Sequence, residues 1–331
     1  EKNSVTNKKV FDASRNPFTA PACCIRHPNF DVYITKSREN LVHLQSKAEA
    51  HSFLKKYHPN VPVMEDDFVK SMLTVVSHVA GPDRRPPAEH DLNIYMNNPS
   101  AISMKKIMQT DRHDIPNVPG AFIMTDVMSI DECAQLMLAA ETVGYLPDTV
   151  DGIDGQVWLA ERSFLDRIED RVRHLMPPHI HGCAFAGINA RFRFFRYSPG
   201  VEYRPHIDGA WPGSGLLPNG DFVDDVYNGQ KHTKLTFLFY LNGGFDGGAT
   251  TFFLPGDPRS STNNNNDPNN EPDQYDNVIN ASGIKPYPGC VVCFPHGSAI
   301  DGLIHEGSAV KTGVKYVIRS DALYMVKPDK I

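Results

Sequence analysis

The sequence predicts an α+β chain whose core is mainly β. Two observations carry this: amphipathic helical patterns are concentrated before residue 180, and at least six short strand-like runs follow residue 185, punctuated by Gly, Pro and Asn. Helices followed by many short strands fit a barrel or two-sheet sandwich flanked by helices. At 331 residues the chain has room for one large or two ordinary domains.

Residues 1–116 read as a mixed extension or small accessory domain, and 117–331 as the main domain. Phe30 to Thr35 and Leu41 to Leu44 look like short strands around a polar turn. Ser46 and Glu49 have capping-box spacing, and Phe53, Leu54 and Tyr57 supply an apolar helix face. Phe68, Met72, Leu73, Val76 and Val79 recur at helical spacing and predict a second helix, ending near Gly81-Pro82. No catalytic motif is found in this third.

Asn117-Val118-Pro119-Gly120 marks a fresh start, with a strand over Ala121 to Met124. Ser129 and Glu132 then form another capping box, and Gly144 stops that helix. A second amphipathic helix spans Ser163 to Met176 and ends at Pro177-Pro178. The strand-like runs are Ile188 to Tyr197, Tyr203 to Asp208, Leu235 to Asn242, Ala249 to Phe253, Cys290 to Pro295 and Lys315 to Tyr324. Gly256 to Asn280, with four consecutive Asn, reads as a mobile insertion between strands.

Composition excludes several classes. A net charge of −6, its acidic excess lying after residue 117, argues against a nucleic-acid partner. No stretch approaches the roughly 20 apolar residues of a membrane span. Six cysteines are ordinary usage for this length. The polar segment from Glu1 to Asn16 lacks a signal-peptide core, so a cytoplasmic setting is slightly favoured. The secretory lumen is the alternative if an upstream signal has been removed. Asn280-Ala281-Ser282 is a glycosylation sequon, meaningful only in that case. Composition does not fix the oligomeric state.

The chemistry centres on Tyr203-Arg204-Pro205-His206-Ile207-Asp208-Gly209. On a strand, residues two apart point the same way, with Cα atoms roughly 6.5–7 Å apart. An imidazole and a carboxylate so placed can reach one metal ion. His305 is a candidate third ligand, since two His and one carboxylate occupy one face of a ferrous ion and leave three positions open. Lys315, ten residues on, could hold the far carboxylate of a dicarboxylic keto acid.

Together, His206-x-Asp208, His305 in His-Glu-Gly and Lys315 ten residues later resemble the iron(II)- and 2-oxoglutarate-dependent dioxygenases of the prolyl 4-hydroxylase type. The resemblance covers roughly 117–331. It includes Pro119-Gly120-Ala121-Phe122, Arg196-Tyr197-Ser198-Pro199-Gly200, Phe239-Tyr240-Leu241-Asn242 and Gly247-Gly248-Ala249-Thr250. It implies a double-stranded β-helix, a jelly-roll-like sandwich with the metal between its sheets. It also implies Fe(II) on His206, Asp208 and His305, with 2-oxoglutarate and O2 as co-substrates and ascorbate as a candidate reductant. Tyr197, Tyr240 and Thr250 would line the 2-oxoglutarate pocket with Lys315, and Arg319, four residues on, could replace or assist the lysine. The implied reaction hydroxylates an unactivated C–H and releases succinate and CO2. A peptidyl-proline substrate is the analogy from the family. A free amino acid, another small molecule or a non-turnover 2-oxoglutarate sensor are the alternatives.

Trp211 to Thr233 and the Asn-rich insertion are absent from the family's minimal core, so substrate class transfers least. Arg191 and Arg193 share parity with Tyr197. They either bind an acidic substrate group, brace the co-substrate pocket or form structural ion pairs. Trp211 either packs over substrate or caps the core. His296 is a rival distal ligand, but ten residues beyond it stands Glu306, an anion. His179 and His181 read as solvated. Cys290 and Cys293 point to opposite strand faces and read as buried thiols, and Cys23-Cys24 carries no motif.

Overall fold

The computed structural model describes residues 25–26, 44–57, 66–84, 87–106, 108–148, 150–255, 279–284, 287–297 and 302–326. Four α-helices are described: α1 (Lys47–Tyr57), α2 (Asp66–Ser71), α3 (Ile130–Val143) and α4 (Arg162–Val172). The strands used below are β1 (Leu73–Val79), β2 (Leu92–Asn97), β3 (Asp111–Asp114), β4 (Phe122–Thr125), β5 (Ile153–Leu159), β6 (Cys183–Ile188) and β7 (Arg191–Tyr197). They continue with β8 (Tyr203–His206), β9 (Lys231–Tyr240), β10 (Thr250–Pro255), β11 (Ile279–Ile284), β12 (Val291–Pro295), β13 (His305–Gly307) and β14 (Lys315–Met325).

Strands β7 to β14 form two sheets with a simple rule of pairing. β10 pairs with β11, β9 with β12, β8 with β13 and β7 with β14, every pair antiparallel. Each strand thus meets the one equally far from the β10–β11 connection, as in one long hairpin wound up on itself. Winding places β7-β14-β9-β12 in the large sheet and β8-β13-β10-β11 in the small one. This is a double-stranded β-helix, the jelly-roll-like core expected from the sequence. The large sheet continues through β5, β2 and β1 on one side and β4 and β3 on the other.

Side-chain alternation explains why the large sheet has two kinds of face. On β7, Phe192 and Phe194 join the cluster formed with α3 and α4, through Leu136, Ala140, Phe164 and Ile168. Phe195 and Tyr197 instead join a second cluster between the sheets, with Tyr240, Phe252, Phe294 and Val317. β14 alternates the same way, with Tyr316 and Ile318 toward the helices and Val317 between the sheets.

Helix starts follow the sequence closely. Ser129 caps α3, and Glu132 completes the capping box from inside the helix. Glu132 also receives both terminal nitrogens of Arg171 from α4 at 2.8 Å, a fully buried pair tying the two helices together. The second helix starts one residue early, at Arg162, with Glu161 as its N-cap, and ends at Val172.

Three readings are corrected. The helix expected over Phe68 to Val79 stops at Ser71, and Leu73–Val79 is a strand antiparallel to β2. Its three valines and Thr74 favour extended backbone, and the available edge of β2 supplies the hydrogen bonds. Ile188 to Tyr197 is two strands, β6 and β7, parted at Asn189-Ala190. Of the expected insertion, residues 256–278 lie outside the described residues, whereas Ile279 and Asn280 open β11 of the small sheet. The strands expected at Phe30 to Thr35 and Leu41 to Leu44, and Cys23-Cys24, lie outside the described residues except for Leu44, which is not in a strand.

Candidate metal centre and co-substrate cleft

β8 and β13 lie side by side, with His206 directly opposite His305. The chain leaves β8 after His206 and brings Asp208 back beside both rings. One ligand atom from each of His206, Asp208 and His305 lies within 4.8 Å of the other two. Asp208 Oδ1 is 3.4 Å from His206 Nε2, and Oδ2 is 3.6 Å from His305 Nε2. His206 Nδ1 donates to the Arg204 carbonyl at 2.7 Å, and His305 Nδ1 donates to the Leu303 carbonyl at 3.0 Å. Those bonds leave each Nε2 with its lone pair turned to the common point, as metal-binding histidines require. Phe294 packs edge-on against the His305 ring, centroids 4.5 Å apart, shielding it from water.

The electrostatics suit a cation. Burial alone would raise the Asp208 carboxyl, yet the Arg319 guanidinium and the two imidazoles hold it well below the usual carboxylate range. Burial pushes His305 down to about 4, outweighing the nearby Asp208 charge. A base depressed by folding is protonated first in the unfolded chain. Its contribution is therefore intact above about pH 6.5 and is lost as pH falls toward 4. Melts of chelator-treated protein should show Tm falling across that window. Glutamine at position 305 should remove this slope, and an unchanged slope would assign it to another group.

The ligand atoms open into a small, partly open cleft. Tyr197, Thr250, Lys315, Arg193 and Arg319 all reach its walls. Lys315 is 2% exposed. Among the described residues no carboxylate comes within 4.0 Å of its ammonium, which instead lies 4.9 Å from the Tyr197 ring and 5.7 Å from that of Tyr240. Burial pushes its pKa down to about 7. Tyr240 stands behind the wall, its hydroxyl bonded to the Thr250 hydroxyl.

Other residues are placed differently. Arg319 Nη1 lies 3.1 Å from Asp208 Oδ1, so the guanidinium is engaged by the candidate metal ligand itself. Arg193 reaches the cleft, donates no hydrogen bond to a described residue and has its nearest carboxylate, Asp148, at 4.0 Å. Arg191 is drawn away to Asp224 at 2.8 Å. Trp211 is 45% exposed and off the cleft wall. His296 is buried between Thr233 and Thr236 and holds no place among the three ligands. His179 and His181 are exposed, and Cys290 and Cys293 are buried thiols in no disulfide.

Tyr203 and Thr236 reach the cleft without having been singled out. Both carried a signal: Tyr203 stands three residues before His206, and Thr236 shares strand parity with Tyr240.

No protein-family model matches the chain. No curated protein matches it either. Among solved structures, the chain is similar to the viral collagen prolyl hydroxylase of Paramecium bursaria chlorella virus-1 in its 2-oxoglutarate complex. The identity is 19%, covering 66% of this chain and 97% of that one, with a TM-score of 0.37. It is also similar to a Pseudomonas putida prolyl-4-hydroxylase, at 16% identity over 70% and 97% of the two chains, TM-score 0.37. A third is a prolyl hydroxylase from Trichoplax adhaerens bound to a hypoxia inducible factor peptide fragment, at 15% identity over 63% and 84%, TM-score 0.40. The fold assignment rests on strand order and the site on its own geometry.

Proposed function

We propose that this chain is an Fe(II)- and 2-oxoglutarate-dependent dioxygenase that hydroxylates an unactivated C–H of its substrate. The observation that carries the reading is Lys315, a buried cation without an anionic partner among the described residues, in the same cleft as His206, Asp208 and His305. Burying a lone charge costs several kcal/mol, so such a site favours an anionic ligand. A dicarboxylic keto acid would place one end at the metal and the other at the ammonium.

His206, Asp208 and His305 would hold the metal. Bound iron and the keto acid supply the oxidising chemistry, O2 contributing one atom to succinate as CO2 is lost and one to the new hydroxyl. Lys315 anchors the distal carboxylate, and the Thr250 hydroxyl, oriented by Tyr240, lines the same pocket. Phe294 and Phe252 pack around His305 and keep water from that flank. Peptidyl-proline is the first substrate reading, supported by the sequence motifs. The second is a small acidic substrate such as a free amino acid, which Arg193 favours, since its guanidinium reaches the cleft with only a long contact to Asp148 at 4.0 Å and the Phe195 ring beside it.

The test is succinate release from 2-oxoglutarate with Fe(II), ascorbate and O2, against proline-rich peptides and free amino acids. Iron-dependent succinate that disappears in His206→Ala is the expected result. Binding of 2-oxoglutarate without succinate under any condition would shift the reading to a sensor. Arg193→Ala should raise KM for an acidic substrate about tenfold or more with little change in kcat; an unchanged KM would remove Arg193 from substrate binding.

A further inference from the structure

We propose that Thr236 and His296 form a hydrogen-bond chain that fixes the carboxylate of Asp208, with Arg319 and Asp321 closing it into a ring. The inference rests on the reading of His206, Asp208 and His305 as a metal site. Thr236 and His296 are positioning residues, since both act through Asp208.

From Asp208 to His296 the atoms allow one direction of donation. An ionised carboxylate only accepts. Thr236 Oγ1 lies 2.6 Å from Asp208 Oδ2, so the hydroxyl proton goes to that oxygen. Thr236 Oγ1 must then accept at its other contact, from His296 Nδ1–H at 2.9 Å. With the ring neutral, His296 Nε2 then accepts from the Thr233 hydroxyl, 2.9 Å away. The Thr233 oxygen accepts the backbone N–H of Trp211 at 2.8 Å. Burial favours the neutral ring that this pattern needs, against the Asp321 charge. The ring closes because Asp321 Oδ1 is 3.4 Å from both His296 Nδ1 and Arg319 Nη2, and Arg319 Nη1 reaches Asp208 Oδ1 at 3.1 Å. Each oxygen of Asp208 thus has its own restraint.

The backbone of Asp208 is held at the same place. Gly297 N–H donates to the Asp208 carbonyl at 3.0 Å. Gly297 has φ +90, and a Cβ there would lie 2.5 Å from Ala210 Cβ, so the ligand-bearing segment sits directly on the 296–297 turn. Thr233, Thr236 and His296 are all buried. A buried polar group without a partner is costly, so loss of one member leaves the others free to rotate away from Asp208. Partners behind a metal ligand typically contribute 10–100-fold to metal affinity.

The experiment titrates Mn(II) into the full chain, alongside visible absorption of the Co(II) form. Thr236→Val should weaken Mn(II) binding about tenfold or more and change the Co(II) spectrum. Thr236→Ser keeps the hydroxyl and should stay within about threefold of wild type. His296→Leu should lose affinity similarly, whereas His296→Asn, whose side-chain N–H can replace Nδ1–H, should recover part of it. Should Thr236→Val not fold, the His296 pair decides. Wild-type affinity in a folded Thr236→Val or His296→Leu would overturn the proposal, as would equal losses within each pair. A wild-type chain that binds no Mn(II) would overturn the metal reading beneath it.

Discussion

Replacing Lys315 with methionine is expected to stabilise the ligand-free protein while removing its affinity for 2-oxoglutarate. The two effects have one cause. The ammonium is buried, and burial brings its pKa down from 10.5 to about 7. A base depressed on folding binds its proton more tightly in the unfolded chain. The cost is fully present below about pH 7 and fades as pH rises toward 10.5. Its size is on the order of 5 kcal/mol or less. Methionine fills similar space without charge, so denaturant melts should show a more stable variant at pH 7. The rise in stability between pH 7 and 10 expected of wild type should be absent. The keto acid would lose its counter-charge, and truncating one side of a buried charge pair costs about 2–5 kcal/mol, some 30-fold to several thousand-fold in affinity. Wild-type affinity should itself fall as pH rises above 7, because the dianion binds the protonated amine. A destabilised variant that still binds 2-oxoglutarate would move the anchor to Arg319 or Arg193.

What was legible in the sequence was local. His206 and Asp208 stand two residues apart, a spacing that predicts one shared side, and the two do meet although β8 ends at His206. The alternation of Phe192 and Phe194 with Arg193, Phe195 and Tyr197 likewise states which face meets the helices. What was hidden depends on distant partners. Thr236 meets His296 across 60 positions and Asp208 across 28, contacts that only sheet pairing creates. β5 escaped notice because Asp154, Gly155 and Gln156 interrupt its apolar pattern. Yet Gln156 is buried, donating to the Ala140 carbonyl and accepting from the Trp158 indole. Leu73–Val79 shows two periods at once, since Met72, Val76 and Val79 fit a helix and the β-branched run fits a strand. The tie is broken by β2, to which it is hydrogen-bonded.

The second large effect belongs to Asp208→Asn, and its sign on stability is opposite to that of Lys315→Met. Asparagine matches aspartate in shape but brings one carbonyl oxygen where two carboxylate oxygens served. Thr236 and Arg319 each hold a different oxygen of Asp208, so one of them must lose its acceptor. Arg319 would keep only Asp321, at 3.4 Å, and removing one partner of a buried ion pair typically costs about 3–5 kcal/mol. The metal-free variant should therefore be less stable at pH 7. In wild type the carboxyl is depressed well below 3.8, so this contribution is present above that pH and is lost as pH falls through the lower folded value. The variant should lack that acid-induced step. Mn(II) binding and succinate formation should fall about a thousandfold or more, since a neutral amide is a poor ligand for a hard divalent ion. Succinate formation at the wild-type rate would show that Asp208 is no ligand. Unchanged metal-free stability would show instead that Arg319 is neutralised by other groups. Both substitutions stop turnover, so activity alone cannot separate the two charges. Their opposite effects on the ligand-free fold can: Lys315 is a buried charge awaiting a partner, and Asp208 is one that already has its partners in place.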